Sequence, residues 1–152
     1  VTVLDQGGMI QRIPEEELEL GYRTSIIARK GYLVLEALIE LKPGDPQEIR
    51  AVMDELKEKR VSKQPLEYPS AGSTFKRPEG YFAGKLVMDS GLAGYRVGGA
   101  QVSEKHCGFV INAGNATAKD VRTLMDNVRD IVYEKYGVTL EPEVKFLGDF
   151  EN

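Results

Sequence analysis

The chain has 152 residues, enough for one well-cored domain and a remnant of a neighbour but not for two full domains. Its 41% hydrophobic and 29% charged residues exclude global disorder or a fibre, and 20 basic against 24 acidic side chains, a net charge of −4, give no general field for nucleic acid or an anionic membrane as main partner. His106 and Cys107 are the only residues of their kinds, which excludes an intrachain disulfide and a Cys/His metal cage and leads to the expectation of a reducing, cytoplasmic setting.

Val1 to Asp5 and Met9 to Ile13, joined by Gln6-Gly7-Gly8, read as a β-hairpin. That start lacks the basic-then-apolar order of a signal peptide, and no apolar run approaches the ~20 residues that span a bilayer. After an acidic stretch from Pro14 to Leu18, the segments Tyr22 to Ile27 and Tyr32 to Leu41 are rich in β-branched and aliphatic residues and are expected to be strands of a sheet with further members elsewhere. Asp45-Pro46 with Glu48 marks a helix start, and Ile49, Val52, Met53 and Leu56 recur at the spacing of one buried stripe. Gln64 to Gly80, rich in Pro, Gly and Ser, reads as a long loop of the kind that often carries function.

Tyr81 to Asp89 reads as a short helix, and Tyr95 to Val102 and Gly108 to Asn112 as strands around the charged turn Ser103-Glu104-Lys105. The strongest helix signal runs from Thr117 to Tyr136: Val121, Leu124, Met125, Val128, Ile131, Val132 and Tyr136 share a face, Thr117 and Asp120 suit a capping box, and Gly137 ends it. Val138 to Leu147 is expected to be an edge strand interrupted by Pro142. These elements make an α+β fold.

Few residues point to chemistry unaided. In Ser70-Ala71-Gly72-Ser73-Thr74-Phe75-Lys76-Arg77-Pro78, small residues let backbone amides approach a ligand, while Ser73 offers a hydroxyl and Lys76 with Arg77 charge for phosphate. Such stretches are usually turns or caps, and neither a Walker loop nor a nucleophile elbow is present. Leu140-Glu141-Pro142-Glu143-Val144 sets two carboxylates beside a proline; a carboxylate on a strand is usually a solvated charge. Neighbours on a strand face opposite sides, so His106 and Cys107 do not form a catalytic dyad: Cys107 is expected in packing and His106 in a pocket.

Taken together and in order, Gly21-Tyr22-Arg23-Thr24-Ser25, the Pro69 to Pro78 stretch, Ala83-Gly84-Lys85-Leu86, Gly94 to His106 and Leu140 to Val144 resemble the UDP-N-acetylenolpyruvoylglucosamine reductases, flavin enzymes of bacterial cell-wall synthesis. The resemblance covers essentially the whole chain. It implies that residues 1–44 are the last strands of an FAD-binding domain and residues 45–152 a substrate-binding domain, with the glycine-rich flavin-binding region in a preceding N-terminal half. The family passes a hydride from NADPH through FAD to UDP-N-acetylglucosamine enolpyruvate, and a serine then protonates the neighbouring carbon.

By motif match that serine is Ser73, the active-site arginine is Arg23 and the active-site glutamate is Glu143. A fixed cation or donor near the substrate carboxylate favours the enolate-like intermediate; Arg23 suits that role, with Glu143 as an alternative acid. Lys76 and Arg77 are the first candidates for the UDP end, followed by Tyr22, Tyr81, Lys85 and His106, although some members carry asparagine in place of Arg77. The short stretch between Arg23 and Ser73 resembles the branch without a tyrosine-bearing, substrate-covering loop. Two other readings stand beside the reductase: a UDP-sugar binding module inactive without the N-terminal half, and a plain α+β interaction domain.

Overall fold

The computed structural model describes residues 1–148 and divides the chain into two units, Val1–Pro46 and Gln47–Asn152. In the first, β1 (Thr2–Leu4) pairs antiparallel with β2 (Ile10–Arg12), the expected hairpin. The Asp5 carboxylate accepts the amides of Met9 and Gly7 at 2.8 and 2.9 Å, which closes the turn. Those bonds, Met9's foremost, hold the Asp5 carboxyl below its ordinary value. On the other side of β1 lies β3 (Leu33–Glu36), in the order β2-β1-β3, and Val3 is buried with Ile13 and Leu18.

The expected strand over Tyr22 to Ile27 does not form. Gly21 and Thr24 close a tight turn by exchanging backbone hydrogen bonds of 3.0 and 3.3 Å, and α1 (Ile26–Lys30) follows, ended by Gly31 at φ 64°. Ile26 and Ile27 pack on the Val3 cluster, so burial overrides their β preference. The strand expected from Tyr32 to Leu41 shortens to β3, whose four residues are all exposed.

In the second unit, α2 (Pro46–Lys63) begins at its proline as the sequence implies, but none of its residues is buried, and Ile49, Val52, Met53 and Leu56 are 49–59% exposed. The periodicity is therefore right and the expected burial is not. The core of this unit is filled instead by α3 (Ala83–Asp89) and α4 (Ala118–Tyr136) against a four-stranded antiparallel sheet of β4 (Ser70–Ser73), β7 (Phe109–Asn112), β6 (Ala100–Val102) and β5 (Arg96–Val97), in that order. Lys105, in the charged turn, donates to the Val61 carbonyl at 3.0 Å and so caps the last turn of α2.

Two other expectations are corrected. Tyr95 to Val102 is a tight hairpin rather than one strand: a Cβ on Gly99 would collide with the Gly114 carbonyl oxygen, so only glycine lets the β5–β6 turn lie against the segment before α4. The predicted long loop contains β4, whose small polar residues carry no strand signal and which extends because β7 supplies its partners. The α4 helix matches expectation at both ends, with a Thr117–Asp120 capping box and Gly137 at φ 65°, and Leu124, Met125, Val128 and Val132 are buried; Tyr136 is not. Antiparallel sheet with segregated helices is an α+β architecture. Among the described residues no helix is long and apolar enough to cross a membrane, and no group of His, Cys, Asp and Glu could hold a metal ion.

Candidate active site

Ser73 ends β4 just past a break in the ladder. Ser70 is opposite Ile111 and Ser73 opposite Phe109, so one strand advances three residues while the other advances two, a β-bulge. Gly72 sits in the slip at φ +83°, a left-handed backbone that a side chain would oppose. Thr74 follows, 2% exposed, and uses all its polar groups. Its amide donates to the Gly108 carbonyl at 2.8 Å, its Oγ1 accepts from the Val110 amide at 2.9 Å, and its carbonyl accepts from the Glu143 amide at 2.9 Å.

The last of these bonds belongs to a short antiparallel bridge. Lys76 N–H donates to the Glu141 carbonyl at 2.8 Å, and Phe75 is paired with Pro142. In place of the expected strand from Val138 to Leu147, only this bridge forms, and Pro142 sits where no donor is required. It brings Ser73 and Glu143 onto neighbouring segments although 70 positions separate them. The two carboxylates of Leu140 to Val144 differ as alternation predicts: the Glu141 side chain is 69% exposed, whereas Glu143 is half-buried.

His106 stands in the turn before β7. Its ring meets the Phe109 ring edge-on at 5.0 Å, and Phe109 is the cross-strand neighbour of Ser73. Its Nδ1 accepts the Gly108 amide at 3.1 Å, which leaves Nε2 as the donor of the neutral ring. A Cβ on Gly84 or Gly108 would stand 3.3 or 2.8 Å from His106 Cε1, so those glycines make room for the imidazole. Cys107 faces the core, where burial pushes its thiol up, consistent with packing and not with nucleophilic use.

The cations expected at the UDP end already have partners. Lys76 pairs with Glu141 at 3.0 Å, the Arg77 guanidinium lies 4.0 Å from the Phe82 ring centre, and Lys85 pairs with Asp89 at 2.7 Å. Asp89 raises the Lys85 pKa, keeping it charged. Tyr81 is 46% exposed close by in sequence. Glu141 and Phe82 carried no sequence signal of their own as partners, since both contacts depend on the tertiary bridge or on the turn before α3.

Arg23 belongs to the first unit. It occupies the Gly21–Thr24 turn at φ 58°, a left-handed conformation costing a non-glycine residue roughly 1–2 kcal/mol, with its guanidinium 5.9 Å from the Tyr22 ring. Backbone outliers of this kind concentrate at functional sites.

A family model described as UDP-N-acetylenolpyruvoylglucosamine reductase, C-terminal domain, matches residues 64–147, more than half of the chain. Proteins named UDP-N-acetylenolpyruvoylglucosamine reductase from Lachnoclostridium phytofermentans and Exiguobacterium sibiricum are 64% and 57% identical over 99% and 97% of the chain, and it covers 48% and 49% of their lengths. The chain thus spans about half the length of the curated relatives it matches. A crystal structure of the reductase from Thermus caldophilus superposes with a TM-score of 0.77 at 35% identity, over 93% of this chain and 51% of that one. The chain belongs to the UDP-N-acetylenolpyruvoylglucosamine reductase family and carries its C-terminal domain.

Proposed function

We propose that this chain is the substrate-holding part of an oxidoreductase that uses NADPH, through FAD, to reduce UDP-N-acetylglucosamine enolpyruvate to UDP-N-acetylmuramate for peptidoglycan synthesis in the cytoplasm. The observation that carries the reading is the bond from the Glu143 amide to the Thr74 carbonyl, which sets the Glu143 segment beside the segment that bears Ser73, though the two are distant in sequence. Family membership supports the substrate class proposed.

The described residues do not by themselves fit the flavin. At the start of α4, Thr117 and Asp120 cap each other's amides, and the glycine-rich pyrophosphate loop implied by the family resemblance belongs to the part of the reductase that this chain does not span. FAD is therefore assigned to the half of the reductase that this chain does not span. That half is also the partner proposed for the exposed apolar residues of β3 and α2.

Hydride addition to an alkene conjugated with a carboxylate leaves an enolate-like charge. Arg23 is read as the cation that stabilises it, or Glu143 as the acid that hydrogen-bonds it. Ser73 then gives its proton to the neighbouring carbon. A hydroxyl is a weak acid, so it serves only because the enolate is strongly basic and the donor is already in place. Lys76, Arg77, Tyr22, Tyr81, Lys85 and His106 are assigned to the UDP-sugar. Exchanging an exposed ion pair such as Lys76–Glu141 for a substrate phosphate costs about 0–1 kcal/mol, so the existing partners do not block binding.

Alone, the chain is expected to bind the UDP-sugar without turning it over, because the second unit has its own core. Thermal stabilisation by the substrate, in a preparation free of flavin absorbance, checks this. The reductase reading is tested by Ser73→Ala in the full-length enzyme. NADPH should still bleach the flavin, while substrate reduction falls ~100- to 10,000-fold. Normal turnover would overturn Ser73 as the proton donor.

A further inference from the structure

In an unbroken ladder the Val110 amide would meet a carbonyl of β4. Across the slip between Ser70 and Ser73, the amide donates to Thr74 Oγ1 at 2.9 Å. The hydroxyl therefore ties β7 to the residue that follows the bulge. A hollow of about 330 Å³ is lined in part by Ser70, Ala71, Thr74, Val110 and Val144. Because the remaining polar groups of Thr74 bond Gly108 and Glu143, one buried residue joins β7, the bulge and the Glu143 segment, and it is bonded covalently to Ser73.

We infer that Thr74 is a positioning residue for proton transfer: its hydroxyl locks the bulged register and thereby the direction of Ser73 and its offset from Glu143. This rests on the reading of Ser73 as donor. A buried amide left without its acceptor is costly enough to shift the bulge towards other registers, and a displacement of about 1 Å costs on the order of 100-fold in rate. Valine keeps the branched shape of threonine but sets a methyl where Oγ1 meets the Val110 amide, so Thr74→Val removes the acceptor.

The experiment uses the full-length reductase with Thr74→Val, Thr74→Ser, Thr74→Cys and Ser73→Ala. It measures flavin reduction by NADPH, product formation from the enolpyruvyl substrate, and the solvent deuterium isotope effect on the latter. Thr74→Val should lower kcat for product roughly 10- to 100-fold with KM little changed, and raise the isotope effect as proton transfer becomes limiting. Thr74→Ser should restore the rate, the weak sulfur acceptor of Thr74→Cys should fall between, and flavin reduction should be the same in all. A merely structural role would lower both half-reactions together and leave the isotope effect unmoved.

If Thr74→Val does not fold, the comparison of Thr74→Cys with Thr74→Ser decides, and equal rates there overturn the proposal. Wild-type product formation by Thr74→Val beside a disabled Ser73→Ala also overturns it. A fully active Ser73→Ala would instead remove the donor assignment on which it rests.

Discussion

Replacing Gly72 by alanine isolates the backbone requirement of the bulge. At φ +83° no atom lies within 4 Å of the position a Cβ would take, so Gly72→Ala meets no steric obstacle and its cost is conformational. A left-handed backbone costs an L-residue roughly 1–2 kcal/mol, and the stiffer unfolded chain returns about 0.4–1 kcal/mol, leaving a net loss on the order of 1 kcal/mol. For a unit of roughly 100 residues that is a fall in Tm of about 4–8 °C, measured by circular dichroism with urea unfolding as a second probe. Gly99→Ala is the contrasting control: its Cβ would collide with the Gly114 oxygen and lie 2.5 Å from the Ala116 nitrogen, which are backbone atoms and cannot rotate away. Gly99→Ala should therefore be the more destabilising by about 1–3 kcal/mol. An unchanged Tm for Gly72→Ala, or a loss equal to that of Gly99→Ala, would refute the view that the bulge is held in one register by its backbone.

Arg23→Gly relieves the left-handed strain at φ 58° while deleting the guanidinium. Thermal melts should show stability kept or raised by up to ~1 kcal/mol while substrate reduction in the full-length enzyme collapses; a fall in stability would show that the arginine serves the turn and not the reaction. Asp120 shares its proton acceptors with the α4 cap, where the Thr117 amide holds its pKa below the ordinary 3.8. A depressed carboxyl pKa stabilises the fold above 3.8 and loses that contribution as pH falls through the folded-state value. Asp120→Asn should accordingly flatten the acid limb of the stability curve below that pH; an unchanged slope in titrated melts would rule out the linkage.

What could be read directly was local. The α4 helix carries its start, its stop and its stripe within one continuous segment, and the hairpin of β1 and β2 is set by a short glycine turn. The α2 helix was equally visible, but whether Ile49, Val52, Met53 and Leu56 are covered depends on surfaces elsewhere, and periodicity says nothing about their whereabouts. Ser70 to Ser73 has no strand propensity and becomes one by pairing with β7, while Ile26 and Ile27 have strand propensity and enter a helix whose partly buried side chains pack on Val3, Ile13 and Leu18. At the site, Ser73 and Glu143 were singled out by motif resemblance; neither residue is distinctive as a chemical group in its own segment. Thr74 carries no signal in the sequence, because a threonine after a serine in a turn-like stretch has no visible partner until Val110 is folded beside it.

That pattern follows from the chemistry proposed. A donor whose acidity has been tuned leaves traces, such as a neighbouring histidine, a buried carboxylate or a metal, and these appear in a sequence as clusters. A serine hydroxyl that works by position leaves its traces in the backbone: a glycine at φ +83°, a slipped register, and amides shared among three segments that are remote along the chain. The bond lengths from Thr74 to Gly108, Val110 and Glu143 are all between 2.8 and 2.9 Å, so the chain's own groups form the frame around Ser73. Rate then depends on how narrowly that frame limits the hydroxyl, and substitutions that leave Ser73 untouched but loosen Gly72 or Thr74 should slow protonation without altering the donor itself.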